Sequence, residues 1–249
     1  MDKVMINKTI GSIFCVVVSV LISTTSAQAI PVLVNGGFET GDFTGWTQAT
    51  SASLAGTCNK DWYVSNSDVE CNQGFNTQLN SAIEGNFAAY NSFDGFAGTN
   101  YTIEQDIALG AVSMATLDFS YALGWDFGLG EPAILDRVFS VSFLDAANSF
   151  IGDAFVFNLS PATAATGFVD WTNQTIDVTS LLSSFANQTV TLVANMFIPE
   201  DKTGPASFGF DAVNLDVESI SSVSVPSPSM LSIFVLGLLM LIGVGRRAK

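Results

Sequence analysis

Apolar and polar residues alternate along most of the chain. Tyr101, Ile103, Ile107 and Leu109 share one parity, as do Leu117, Phe119 and Tyr121, then Phe139, Val141 and Phe143, and later Val190, Leu192, Ala194 and Met196. A period of two places such residues on one face of a strand, so each run predicts a strand with one buried side. Clusters of Gly, Asn, Asp and Ser separate the runs, and only Val178 to Phe185 has a helical spacing. The pattern predicts an all-β protein, an antiparallel β-sandwich rather than a parallel α/β sheet. About nine to eleven strands fit, which is typical of a jelly roll. No internal repeat and no second domain interrupts residues 30–217.

The alternation fails at both ends, where apolar residues run together. Lys3 and Lys8 precede an apolar core from Ile13 to Ile22, and Ala27-Gln28-Ala29 follows as an A-x-A cleavage site. Residues 1–29 therefore read as a secretory signal peptide, too short in its apolar core to span a bilayer. At the other end, Met230 to Gly245 is apolar apart from Ser232. As a helix rising ~1.5 Å per residue, this stretch spans about 24 Å against a hydrocarbon core of ~30 Å, enough for one transmembrane helix. Arg246, Arg247 and Lys249 would act as the membrane stop on the cytoplasmic side. Residues 218–224 form a Ser-rich linker, and Pro226 and Pro228 hold Ser227 extended ahead of the helix, accessible to an enzyme at the membrane surface.

The composition narrows the chemistry. Eight basic residues face 23 acidic ones, a net charge of -15, and there is no histidine. That balance disfavours nucleic acid and anionic membrane surfaces, and it removes the Ser-His-Asp triad and every His-containing zinc site. Between the processed ends remain every acid but Asp2 and three bases, Lys60, Arg137 and Lys202. Cys15 lies in the signal peptide, so Cys58 and Cys71 are the pair left in an exported chain, and a disulfide is expected. Free or metal-bound thiols are the alternative.

The C-terminal arrangement of Val225-Pro226-Ser227-Pro228-Ser229, a short apolar helix and an Arg-rich tail resembles the PEP-CTERM sorting signal. Ser227 stands where the usual motif has glutamate. The resemblance implies recognition by exosortase, a membrane transpeptidase. It also implies an inner-membrane anchored intermediate, then release to the cell surface or extracellular matrix, with exopolysaccharide and biofilm as the setting. An ordinary tail anchor is the alternative.

The body carries further motifs: "LVNGGFETGDFTGWT" from Leu33, "EGNFAAYN" from Glu84, "YTIEQDI" from Tyr101 and "FGFDAVNLDV" from Phe208. In the first, Asn35-Gly36-Gly37 suits a tight turn of positive φ, Gly41 and Gly45 let the loop fold back, and Trp46 plugs the end of the sandwich. In the last, Phe208 and Phe210 are even while Val213, Leu215 and Val217 are odd, so a bulge is required near Asp211-Ala212. Together these motifs resemble the jelly-roll domains of carbohydrate-binding modules and related PEP-CTERM surface domains. The resemblance implies a structural calcium ion (Ca2+) held by Glu39 and Asp211 with carbonyls near Gly37, and Glu84 as a third acid. Calcium takes 6–8 oxygen ligands, which an acidic domain supplies.

Three function classes follow. A polysaccharide-binding module needs aromatic rings beside hydrogen-bonding groups, and Trp62, Tyr63 and Trp125 are the candidates. A purely structural surface or biofilm protein needs no ligand. A carboxylate-dependent glycoside hydrolase needs two acids ~5 to 9 Å apart, and no pair is legible in the sequence. The reading favours an exported binding or matrix protein, not an enzyme.

Overall fold

The structure is a computed structural model that describes residues 30–51, 61–68, 77–93 and 98–219. The expected signal peptide at 1–29, Cys58 and Cys71, the expected sorting motif at 225–229, the expected helix at 230–245 and the basic tail lie outside the described residues. Among the described residues, no helix is long and apolar enough to cross a membrane.

Eleven strands are described: β1 (Ile30–Pro31), β2 (Thr47–Thr50), β3 (Tyr63–Ser65), β4 (Ala88–Phe93), β5 (Thr99–Ala108), β6 (Met114–Asp126), β7 (Arg137–Asp145), β8 (Phe150–Leu159), β9 (Thr166–Asp177), β10 (Thr189–Ile198) and β11 (Ala206–Glu218). The helical spacing at Val178–Phe185 gives a short helix α1 (Thr179–Leu182) and a 3-10 turn (Ser183–Phe185) between β9 and β10. β11 continues through Glu218, one position beyond the expected domain end.

The strands form two sheets, ordered β3-β4-β11-β6-β9 with β1 also on β11, and β2-β5-β10-β7-β8. Every described pairing is antiparallel. The protein is thus an all-β sandwich of two antiparallel sheets, as the alternation predicts. Along β5, the residues of Tyr101's parity are buried and those between them are more accessible. The same rule buries Val190, Leu192, Ala194 and Met196 on β10, and Phe139, Val141 and Phe143 on β7.

Aromatic rings from both sheets meet in the core. Phe139 of one sheet approaches Phe208 of the other with ring centroids 4.7 Å apart, and Tyr121 lies 4.9 Å from Phe155. Phe119 adds tilted contacts to Phe210 and edge contacts to Phe155, both at 5.5 Å. Such tilted and edge-on pairs add to the transfer energy of burial.

One edge of β11 is covered piecewise. β4 pairs with Ala206 to Phe210, the Val213 N–H donates to the Gly36 carbonyl at 3.0 Å, and β1 pairs with Asp216 and Val217. Between the first two pieces, the register with β6 jumps from Asp211 opposite Ser120 to Asn214 opposite Asp118. This is the bulge that the parity switch demands, and Ala212 takes a φ of 52° within it. The bulge turns Asp211 into the gap left between β4 and Gly36.

Candidate functional site

The opening motif folds as a cap over the sandwich end. Trp46 is buried, its ring 5.4 Å from Phe38, and its Nε1–H donates to the Asn35 carbonyl at 3.2 Å. Asn35 Nδ2 donates to the carbonyls of Asp42 and Thr44, closing the loop. Gly41 and Gly45 have positive φ as expected, but the tight turn places it on Asn35 (52°) and Phe38 (54°), not on Gly36 or Gly37. Gly36 has a different reason: a Cβ there would fall on the Val213 carbonyl oxygen.

Glu39, Asp211 and Glu84 converge on one segment. The Glu39 carboxylate accepts the Asn86 and Phe87 N–H groups, both at 2.9 Å. Those bonds hold its carboxyl below the usual glutamate range. Asp211 is fully buried and accepts the N–H of Ala212 at 2.7 Å and of Glu84 at 3.3 Å. Burial pushes its carboxyl up to about 7, the nearby Glu84 adds to the rise, and the backbone N–H groups oppose it. Glu84 therefore meets Asp211 through its backbone, while its side chain is exposed. The oxygen donors are of the class calcium takes. They fit an ion only in part, because Glu39 and Asp211 already accept backbone N–H groups. Among the described residues, no group of three or more His, Cys, Asp or Glu is set to hold a metal.

Two of the aromatic candidates turn inward. Trp62 is 2% exposed and its Nε1–H donates to the Tyr101 carbonyl at 3.1 Å. Trp125 is 9% exposed, bonds the Ala164 carbonyl at 3.1 Å and has Gly167 packed directly on its indole. β6 runs on through Trp125, so this residue belongs to a core strand and not to a Gly-rich loop. The Trp62 ring is closed off from solvent, and Trp125 reaches the surface only where it lines a notch with Thr166, Gly167 and Phe168. Tyr63 is half-buried, stacks on Tyr90 at 5.9 Å, and donates its hydroxyl to Asp68 at 2.6 Å.

Tyr63 leads to a surface that parity alone does not reveal. On the outer face of the six-stranded sheet, Tyr63 pairs with Tyr90, Tyr90 with Gly209, and Gly209 with Ala122. Opposite Ala122, the pairing of β9 jumps from Val169 to Thr172, so Asp170 and Trp171 share one position. The bulge brings the Trp171 indole onto this face, where it reaches over Ala122 to Gly209. A Cβ on Gly209 would lie 2.6 Å from Trp171 Cη2. Tyr90 packs edge-on at 6.1 Å. The Trp171 Nε1–H and the Tyr90 hydroxyl both donate to the Asn80 carbonyl at 3.2 Å, and Asn80 Nδ2 donates to Asp170 at 2.9 Å. The indole stays half-buried, so part of its surface meets solvent.

One row further along the same face lies a polar notch of about 220 Å³, lined by Asp118, Ser120, Asn173, Gln174, Thr175 and Ala212. Ser120 donates to Asn173 Oδ1 at 2.7 Å, and Thr175 donates to Asp118. A partly exposed indole beside oriented hydroxyl, amide and carboxylate groups is an arrangement suited to a ligand with one apolar and one hydroxylated face. By contrast, the Asp126 carboxylate accepts the Gly128 N–H at 2.8 Å and closes a turn.

The fold is an all-β sandwich, and the solved structures it is similar to include carbohydrate-binding modules, adhesin domains and a cyclase. No protein-family model and no curated protein matches the chain. The chain is similar to TmCBM61, solved in complex with β-1,4-galactotriose, at 17% identity over 76% of this chain and 100% of that one, with a TM-score of 0.45. It is similar to a cleaved adhesin domain of Lys-gingipain from Porphyromonas gingivalis, at 16% identity over 75% and 99% of the two chains, TM-score 0.46. It is also similar to the CBM22-1 xylan-binding domain from Paenibacillus barcinonensis, at 12% identity over 78% and 98%, TM-score 0.39. At these scores the likenesses carry no argument about a site, and the fold stands on its own strand order.

Proposed function

We propose that this is an exported jelly-roll protein of the cell surface or extracellular matrix that binds polysaccharide on the outer face of its six-stranded sheet. The order β4-β11-β6-β9 against β5-β10-β7-β8 supports the jelly roll, since from β4 to β11 every successive pair but the β7-β8 hairpin crosses between sheets. The observation that carries the binding reading is the Trp171 indole laid over Ala122 and Gly209 beside the polar notch. A sugar ring's C–H face would stack on the indole while Asn173, Ser120 and Asp118 meet its hydroxyls. Nothing in this reading asks for catalysis.

A glycan array probed with the full chain and with Trp171→Ala tests it. The reading expects spots that disappear in the variant while its melting profile stays cooperative; a chain that binds no glycan rejects it.

Export and sorting belong to the same proposal and rest on the two terminal segments. The signal peptide at residues 1–29 would direct the chain out. The ending at Val225 to Lys249 would anchor it in the inner membrane until an exosortase-type transpeptidase acts near Pro226 to Ser229. A disulfide between Cys58 and Cys71 would then form outside the cytoplasm. Mass spectrometry of protein recovered from culture matrix tests this. A C-terminus near Pro226 to Ser229 supports sorting, and an intact Lys249 confined to the membrane fraction rejects it.

A structural calcium ion is the remaining element. Its support is the fully buried Asp211 carboxylate, which an adjacent cation would balance, with Glu39 bound to the same segment through the Asn86 and Phe87 N–H groups. An ion held by Glu39 and Asp211 would tie the opening motif to the closing strand, completed by carbonyls and water.

A further inference from the structure

We infer that the outer face of the six-stranded sheet selects uncharged glycans and excludes uronic-acid polymers. The inference rests on the binding reading above and narrows its ligand class. Among the described residues, the acidic and basic side chains that face the site are carboxylic acids, beside the phenols of Tyr63 and Tyr90. Asp118 lines the notch and Asp170 flanks the indole. Asp68 stands behind Tyr63.

Hydrogen bonds fix two of these acids in place. Asp118 accepts the Thr175 hydroxyl. Asp170 accepts the Asn80 amide and the Trp171 backbone N–H, both at 2.9 Å. Each remains an acceptor towards a ligand hydroxyl, yet neither can swing away from a ligand carboxylate without losing its bonds.

The cations among the described residues are remote from the notch. The bases among the described residues are Arg137 and Lys202. Arg137 is buried with its guanidinium on Thr203 and the Gly204 carbonyl, at 2.8 and 2.6 Å, and Lys202 sits in the same loop. That loop meets β6 at Asp126, whose N–H donates to the Pro205 carbonyl, whereas the notch is at Ser120. Six residues of strand separate the two, about 20 Å at ~3.3 Å per residue. This exceeds the Debye length of ~8 Å at physiological salt, so the cations do not reach the notch. A ligand carboxylate a few ångströms from Asp118 or Asp170 would be repelled by them, enough to weaken binding by about tenfold or more.

Affinity electrophoresis tests the inference. The full chain is run, without added divalent cations, through gels containing neutral polymers (galactan, xylan, mixed-linkage glucan) or uronate polymers (polygalacturonate, alginate). Retardation is expected with at least one neutral polymer, unchanged by added salt, and with neither uronate. Asp118→Asn together with Asp170→Asn should gain retardation by a uronate polymer. Raising the salt with the unmodified chain should do the same in part, which serves if the double variant does not fold. Equal retardation of the unmodified chain by uronate and neutral polymers overturns the inference and leaves the binding reading standing. So does retardation by uronate alone. Failure of both the double variant and high salt to admit uronate also overturns it. Retardation by no polymer removes the binding reading itself.

Discussion

Trp171 on β9 lies against Gly209 on β11, two strands away, with Ala122 of β6 beneath the indole. The close approach works only because position 209 has no side chain. Gly209→Ala would put a methyl carbon 2.6 Å from Cη2 and force the indole to lift, since the obstacle is the end of a side chain and not backbone. The expected outcome is a loss of glycan affinity of about tenfold or more with a stability cost of only about 1–2 kcal/mol. Calorimetric titration alongside a denaturant melt checks it.

Gly36 gives the opposite balance. A Cβ there meets the Val213 carbonyl, a backbone atom at the bulge, and Gly36 also accepts the Val213 N–H. Gly36→Ala must separate the opening motif from β11 and is expected to cost at least about 2–3 kcal/mol. Chemical denaturation should show a lower midpoint with any residual binding at the Trp171 face retained in the folded fraction.

The paired acids predict how stability depends on pH. Asp211 is raised from 3.8 to about 7 by burial, so the native state holds a proton that the unfolded chain has released. Its contribution is fully present below 3.8 and is lost as pH rises through about 7. Glu39 is lowered from 4.5, so its contribution is present above 4.5 and is lost as pH falls through its depressed value. Without divalent cations, the melting midpoint should therefore decline between pH 4 and 8, and Asp211→Asn should flatten that decline. A midpoint that is level in the unmodified chain contradicts the assignment.

Calcium would reverse that trend, because an ion beside Asp211 favours the carboxylate form. At pH 8, added calcium should raise the melting midpoint and EDTA should lower it, with Asp211→Asn insensitive to both. A midpoint unchanged by EDTA removes the ion from the account.

Much of this fold is legible from two-residue alternation, because each sheet hides one face and the strands are long enough to show it. The bulge at Asp211 is legible too, since Phe210 and Val213 lie on opposite parities yet are both buried. The candidate site is less so. By simple parity Trp171 belongs with Val169, which packs on the core, and only the bulge in β9 sends it outward. A break in pairing with no Gly or Pro to mark it leaves no trace in the sequence. Trp62 and Trp125 mislead for a related reason. Polar and Gly-rich neighbours suggest exposed loops, but in a sandwich large rings also close the ends of the core, and their N–H groups find carbonyls there. Glu39 and Asp211 both accept backbone N–H groups of residues 84–87, Glu84 enters only by its own N–H, and among the described residues no group of three such acids is set to hold a metal.

The most direct test is hydroxyl-radical footprinting of the full chain with and without a polysaccharide that it retains. Protection of Trp171 and Tyr63, with Phe150 on the other sheet as reactive as before, is the predicted result. Protection confined to Phe150 and its neighbours, with Trp171 unchanged, would contradict the account.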